Sequence, residues 1–224
     1  MNKINEMKIL YNNIYNCDRC PEVIRDRHKE VPRNVDPEKI LSKMAMMAQA
    51  PSESGVRLSG IHWVRKNGTL LPGGGPFLEE YLNTIGFSVI PSKPYKIPYT
   101  TNALHCWTGP AKKGDRKPSD DEINNCKEWW LQELKIVNPE IVILLGKQPR
   151  RAFDIVIDNK IQKMITQGIQ GGEIQIKDYG LNFKCFVVPH PSWQDYWKKK
   201  EEYDKVFKEI KHYLASIGWA LPTI

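Results

Sequence analysis

EIVILLG, residues 140–146, decides how the fold of this chain is read. Five consecutive aliphatic residues, Ile141–Leu145, lie between Pro139 and Gly146. The run is too short for a buried helix and shows no polar alternation, so it reads as a strand covered on both faces, as in a central parallel sheet. Such a strand needs helices around it, and the flanking sequence supplies them. Upstream, SDDEINNCKEWWLQELKIVNP (119–139) has helical spacing, with a capping box at Ser119 and Glu122 and a stop at Asn138 and Pro139. Downstream, residues 147–157 are helical in pattern, a polar stretch without firm assignment follows, FKCFVV (183–188) reads as a strand, and a long charged helix runs from about Gln194 to Ile217. Toward the N-terminus, KMAMMAQA (43–50) and KIPYTTNALHC (96–106) supply two more strands. Helices are predicted at 1–16, after the Asp36-Pro37 start, and at FLEEYLNTIGF (77–87), where Gly86 is the stop. Alternating strands and helices predict a three-layer α/β/α sandwich around a central, mostly parallel sheet of about four strands.

A chain of 224 residues with 41% hydrophobic content can bury a core without staples, and a single domain spanning 1–224 is expected. No apolar run approaches the roughly 20 residues of a membrane span. The start MNKINEMKIL lacks the small-residue cleavage site of a signal peptide, so a cytoplasmic, membrane-independent monomer is expected. A formal charge of +7 suits a polyanionic partner. Five cysteines, an odd number without an export signal, point away from disulfides and toward metal or redox use. Cys185, inside the strand FKCFVV, reads as a small core hydrophobe. That leaves the C-x-x-C pair Cys17 and Cys20, with Cys106 and Cys126 far downstream, as four candidate metal ligands.

Three strand ends carry candidate site residues: AQAPSES, TTNALHC and VPHPS. Parallel strands bring their carboxyl ends to one edge, so Gln49, Asn102 and His190 are expected to converge there. His190 is held between Pro189 and Pro191, which leave it little backbone freedom. The amide of Asn and the imidazole of His match the polar edge of a nucleobase, and Phe77, after the glycines Gly73, Gly74 and Gly75, offers a ring for stacking.

The order of these motifs, C-x-x-C, A-P-S, G-P-F, T-N-x-x-x-C, R-x-P-x-x-x-E-x-x-x-C, a strand ending in L-G, and H-P-S, resembles the family 4 uracil-DNA glycosylases, the iron-sulfur branch of their superfamily. The resemblance runs from Cys17 to Ser192. It implies a [4Fe-4S] cluster on Cys17, Cys20, Cys106 and Cys126, where ligand type alone also allows zinc. It further implies a repair enzyme acting on uracil-containing DNA, with Phe77 stacking on uracil, Asn102 reading its edge and His190 contacting its O2.

On that reading the base leaves as an anion stabilised by a donor from His190, while Gln49 orients the attacking water. Ala50 and Ser52 border the base; Ser192 and the glycines clamp phosphates; Trp193 or Tyr196 fills the gap left in the duplex. The first motif departs from the family's G-E-A-P-G, with Ala48-Gln49-Ala50-Pro51-Ser52 in its place, so no carboxylate base is available there. An extra segment, IHWVRKNGTLL (61–71), carries Trp63, Arg65 and Lys66, which offer DNA a cationic and aromatic surface. Two rivals follow. A branch that traps the excised sugar on a histidine needs a His in the segment here reading GPAKKGDRKPSDDE, which has none. A non-catalytic nucleic-acid-binding protein of the same fold is the other.

Overall fold

The computed structural model describes residues 2–20, 36–52, 59–91, 94–112, 115–169, 171–191 and 196–219, with the backbone alone at 196–199. Helix α1 (Lys3–Tyr15) is capped by Asn2, and the single-turn α2 (Pro37–Ile40) by the side chain of Asp36. Then come β1 (Met44–Ala48), α3 (Gly74–Asn83), β2 (Tyr99–Asn102), α4 (Asp120–Val137), β3 (Ile141–Leu145), α5 (Lys147–Val156), α6 (Lys160–Thr166), β4 (Gly171–Ile176), β5 (Leu181–Val188) and α7 (Tyr196–Ser216).

The sheet order is β2-β1-β3-β5-β4. All neighbours are parallel except β4, which closes the edge antiparallel to β5 with Ile174 opposite Phe183. The stretch EIVILLG is β3 at the centre, and all five of its strand residues are fully buried. Burying each aliphatic side chain stabilises the fold by roughly 1.5–3 kcal/mol, so this strand is an anchor of both layers. Val142 and Leu144 face a core formed with Met7 and Leu10 of α1, Trp130 and Leu131 of α4, and Phe153 of α5. Ile141, Ile143 and Leu145 face the other, with Phe77 and Leu78 of α3 and Tyr203, Val206 and Phe207 of α7. The result is the predicted α/β/α sandwich. Its sheet has one strand more than expected, because the polar stretch after α5 contains the edge strand β4.

Helix α4 begins as predicted, with the Ser119–Glu122 capping box formed in both directions and Asn138 in the left-handed conformation at its end. The glutamate of the capping box, at the third helical position, has a second task. Arg116 grips buried Glu122 through two bonds of 2.9 and 2.6 Å, and its Nε donates to the Thr108 carbonyl at 3.0 Å. The R-x-P-x-x-x-E pattern therefore ties the segment after β2 to the start of α4. Burial alone would raise the Glu122 pKa, but the bonds from Arg116 and the Ser119 backbone hold it below the ordinary range. Cys185 lies in β5 with no exposure, and burial pushes its thiol far up, as expected for a core residue.

Candidate active site

The parallel strands β1, β2, β3 and β5 all end on the same side of the sheet, and their register sets the site. Ala48 pairs with Asn102, and Leu145 with Val188. The ladder runs one step past the strands, through Ala103 N to the Ala48 carbonyl at 2.9 Å and Gly146 N to the Val188 carbonyl at 2.8 Å. Above these ends opens a cavity of about 1000 Å³. Gln49, Ala50, Ser52, Gly74, Gly75, Arg65 and His190 all contribute to its wall, so the motifs after β1 and β5 and the extra segment do meet.

His190 is exposed at the cavity, and its backbone is fixed from two sides. Tyr203 of α7 donates a 2.7 Å hydrogen bond to the Pro189 carbonyl. On the other side is Gly146, at φ 94°, where an added Cβ would lie 2.9 Å from the His190 Cβ. Only glycine satisfies both the left-handed backbone and the close approach. The glycine that ends EIVILLG thus makes room for the histidine of H-P-S.

Gln49 is half-buried and donates its amide to the Arg116 carbonyl at 3.4 Å, which leaves its Oε1 as an acceptor. Asn102, at the end of β2, is buried at 5% exposure and does not reach the cavity wall. Its Nδ2 is 2.9 Å from Nε2 of His62, while its Oδ1 is buried without a hydrogen-bond partner among the described residues. His62 is the residue of this pair that lines the cavity. Burial pulls its pKa down to about 4, against a smaller opposing pull from the Asn102 bond, so the ring is neutral at pH 7 and accepts from the amide.

Phe77 departs from expectation. It is 5% exposed, is absent from the cavity wall, and packs edge-on against Tyr203 at 4.5 Å and Tyr81 at 5.1 Å between ring centroids. The G-P-F motif is the first turn of α3, whose apolar face must point at the sheet, and this takes Phe77 into the core. The aromatic on the cavity wall is Trp63, from the extra segment. That segment is ordered by an antiparallel bridge between Val64 and Leu70 and by Leu71 N on the Trp63 carbonyl at 2.7 Å. Trp63 has φ 59°, rare for a bulky residue, and Gly75 packs against it, where an added Cβ would lie 3.1 Å from the Trp63 carbonyl oxygen and 3.2 Å from the Leu70 Cβ. Gly73, at φ 87°, precedes α3. Arg65 reaches the wall, whereas Lys66 is exposed away from it. Ser192 and Trp193 lie outside the described residues, as does the side chain of Tyr196.

Cys17 and Cys20 lie against α4 close to Cys126, and none of the five cysteines forms a disulfide. Cys17 and Cys20 follow α1, Cys106 follows β2, and Cys126 is on α4. Sulfur acceptors are matched by N–H donors: the His105 backbone to Cys126 at 3.3 Å, Trp129 Nε1 to Cys17 at 3.4 Å, and Asn125 Nδ2 to Cys20 at 3.8 Å. Burial raises the Cys20 thiol, and neighbouring Cys126 and Cys17 add to the effect. Donors onto sulfur suit cysteine thiolates that ligate a metal. Among the described residues no three His, Cys, Asp or Glu side chains are arranged to hold a metal ion as they stand. His105, beside Cys106, has Nδ1 3.3 Å from the Cys126 sulfur and Nε2 paired with Glu133 at 3.0 Å. Glu133 also accepts from Thr101 of β2, so a polar chain links Cys126 to the strand that carries Asn102.

A family model for the uracil DNA glycosylase superfamily matches residues 38–215. The chain belongs to that superfamily. It is 26% identical over 205 residues to a type-5 uracil-DNA glycosylase of Pyrobaculum aerophilum, covering 81% of this chain and 80% of that protein. It is 23% identical over 137 residues to a type-4 uracil-DNA glycosylase of Archaeoglobus fulgidus, covering 61% of this chain and 63% of the relative's length. The matched residues contain β1 to β5, the strands whose ends build the cavity. Among the described residues no helix is long and apolar enough to cross a membrane.

Proposed function

We propose that the protein is a monofunctional DNA glycosylase that flips uracil, or another deaminated base, out of DNA and hydrolyses its N-glycosidic bond, leaving an abasic site. The observation that carries this is the meeting of Gln49, Trp63 and His190 around one cavity at the carboxyl edge of the sheet. The +7 charge and Arg65 at the rim favour a DNA partner, bound by a monomer in the cytoplasm.

The base enters the cavity and stacks on Trp63, which takes the place first expected for Phe77. As the glycosidic bond breaks, the electron pair moves onto the base, and His190 donates a hydrogen bond to the pyrimidine oxygen that gains charge. A donor already fixed by Gly146 and the flanking prolines needs no reorganisation, which is why such a contact acts mainly in the transition state. Gln49 holds water through its free Oε1, consistent with a reaction in which departure of the base, and not deprotonation of water, sets the rate.

Cys17, Cys20, Cys106 and Cys126 would hold a [4Fe-4S] cluster, with zinc as the alternative. The donor set and its N–H partners fit either, and the resemblance of the cysteine motifs to the family 4 enzymes favours the first. Such a group would tie α1 to the segment after β2 and to α4, a structural role.

The test is release of free base from a uracil-containing oligonucleotide in single turnover. His190→Ala should slow it by about 10² to 10³ while binding to the same DNA is largely kept. A folded wild-type protein that binds DNA and releases no base would instead identify a non-catalytic member of the fold.

A further inference from the structure

His62 belongs to the extra segment and not to any of the motifs that carry the resemblance, yet it is placed between Asn102 and the cavity. Asn102 is buried and absent from the wall, and its described hydrogen bond runs to His62, which lines it. The Asn102 amide donates to His62 Nε2 at 2.9 Å. A neutral imidazole that accepts at Nε2 carries its proton at Nδ1, so the asparagine fixes the tautomer of the ring. No second hydrogen bond is made by His62 among the described residues, and Nδ1 is not among the buried atoms left without a partner. The ring therefore keeps one N–H donor in reserve. His62 lines this cavity and also a smaller pocket shared with Lys39 and Tyr99. A donor presented to the cavity pairs with a carbonyl and opposes an exocyclic amino group.

We infer that His62, oriented by Asn102, is a specificity-determining residue that favours bases carrying a carbonyl where the undamaged parent carries an amino group. This rests on the proposed glycosylase reading and assigns its base discrimination to a residue of the extra segment. The substrate class is the deaminated bases, with uracil against cytosine as the simplest contrast. Asn102 is then a positioning residue for His62, and the two act as one unit.

The experiment uses duplexes holding a single 2′-fluoro-uridine or 2′-fluoro-cytidine, which resist cleavage, so binding preference is measured apart from chemistry. Wild type should prefer the uridine duplex. His62→Phe, which keeps a flat ring and removes both nitrogens, should cut that preference about 10-fold, the scale of one lost hydrogen bond. His62→Gln, which can accept from Asn102 and still donate, should restore most of it. Adding Asn102→Ala to His62→Phe should cost no further preference. Thermal melting of each variant confirms folding, and uracil release by wild type is assayed separately. Wild type that releases no uracil but shows the His62-dependent preference would overturn the enzymatic reading and leave this one intact. A wild type without preference, or a folded His62→Phe protein with the full wild-type preference, would overturn the assignment.

Discussion

At the scale of single residues, the ring expected to stack on the base is not the one at the cavity, although both Phe77 and Trp63 are largely buried in the same core layer. Phe77 is in the core against Tyr203 and Tyr81, whereas Trp63 is on the cavity wall. Phe77→Ala should therefore lower unfolding free energy by roughly 3–5 kcal/mol in a denaturant titration, the usual cost of a buried Phe. Trp63→Ala should weaken binding of uracil-containing DNA by about 1–3 kcal/mol, the range for loss of a base-stacking ring. A Trp63→Ala protein with unchanged DNA affinity would return the residue to a packing role. His62 makes a prediction of its own in pH. Folded, it takes up a proton only near pH 4; unfolded, near 6.5. Between those values the unfolded chain binds the extra proton, so the contribution is fully present above 6.5 and is lost as pH falls toward 4. The loss is at most roughly 3.5 kcal/mol, at about 1.4 kcal/mol per unit. Lys39 and His105 push in the same direction as burial, and Glu133 opposes. Unfolding of His62→Phe and wild type measured from pH 7 to 4.5 should show a shallower decline in the variant.

At the scale of elements, the junctions carry the function. The β3–α5 turn is legible in sequence as a strand followed by glycine, but the reason for that glycine appears only when β5 is placed beside β3 and His190 comes within 2.9 Å of the missing Cβ. Gly146→Ala should depress uracil release at least as much as it depresses stability, because the strained backbone and the collision both displace His190. Steady-state release and melting temperature, measured on one preparation, separate the two effects. The start of α4 was readable in full from Ser119 and Glu122, since a capping box is local chemistry. Ser119→Ala should cost about 1 kcal/mol in denaturant titration. Strand β4 was not readable. GGEIQI is short, opens on two glycines and buries only Ile174 and Ile176, and its strand geometry comes from pairing with β5.

At the scale of the whole molecule, a basic protein whose cavity opens at one sheet edge should bind DNA with strong salt dependence, because each phosphate contact releases counterions. Affinity that does not fall between low and moderate salt would count against a DNA partner. Protein purified without oxygen should carry about four irons per chain, with Cys126→Ala losing them and Cys185→Ala keeping them; stoichiometric zinc would select the alternative metal on the same cysteines. The sequence by itself determined the layer order, the central strand, the α4 cap, the core role of Cys185 and the gathering of Gln49 and His190 at one edge. Each follows from local periodicity or from the rule that parallel strands share a carboxyl end. Only the tertiary structure decided which aromatic faces the cavity and which residue screens Asn102 from it. Those choices depend on how α3 turns its apolar face to the sheet and where the ordered 61–71 segment folds back, and contacts between elements distant in sequence leave no periodic trace in the chain.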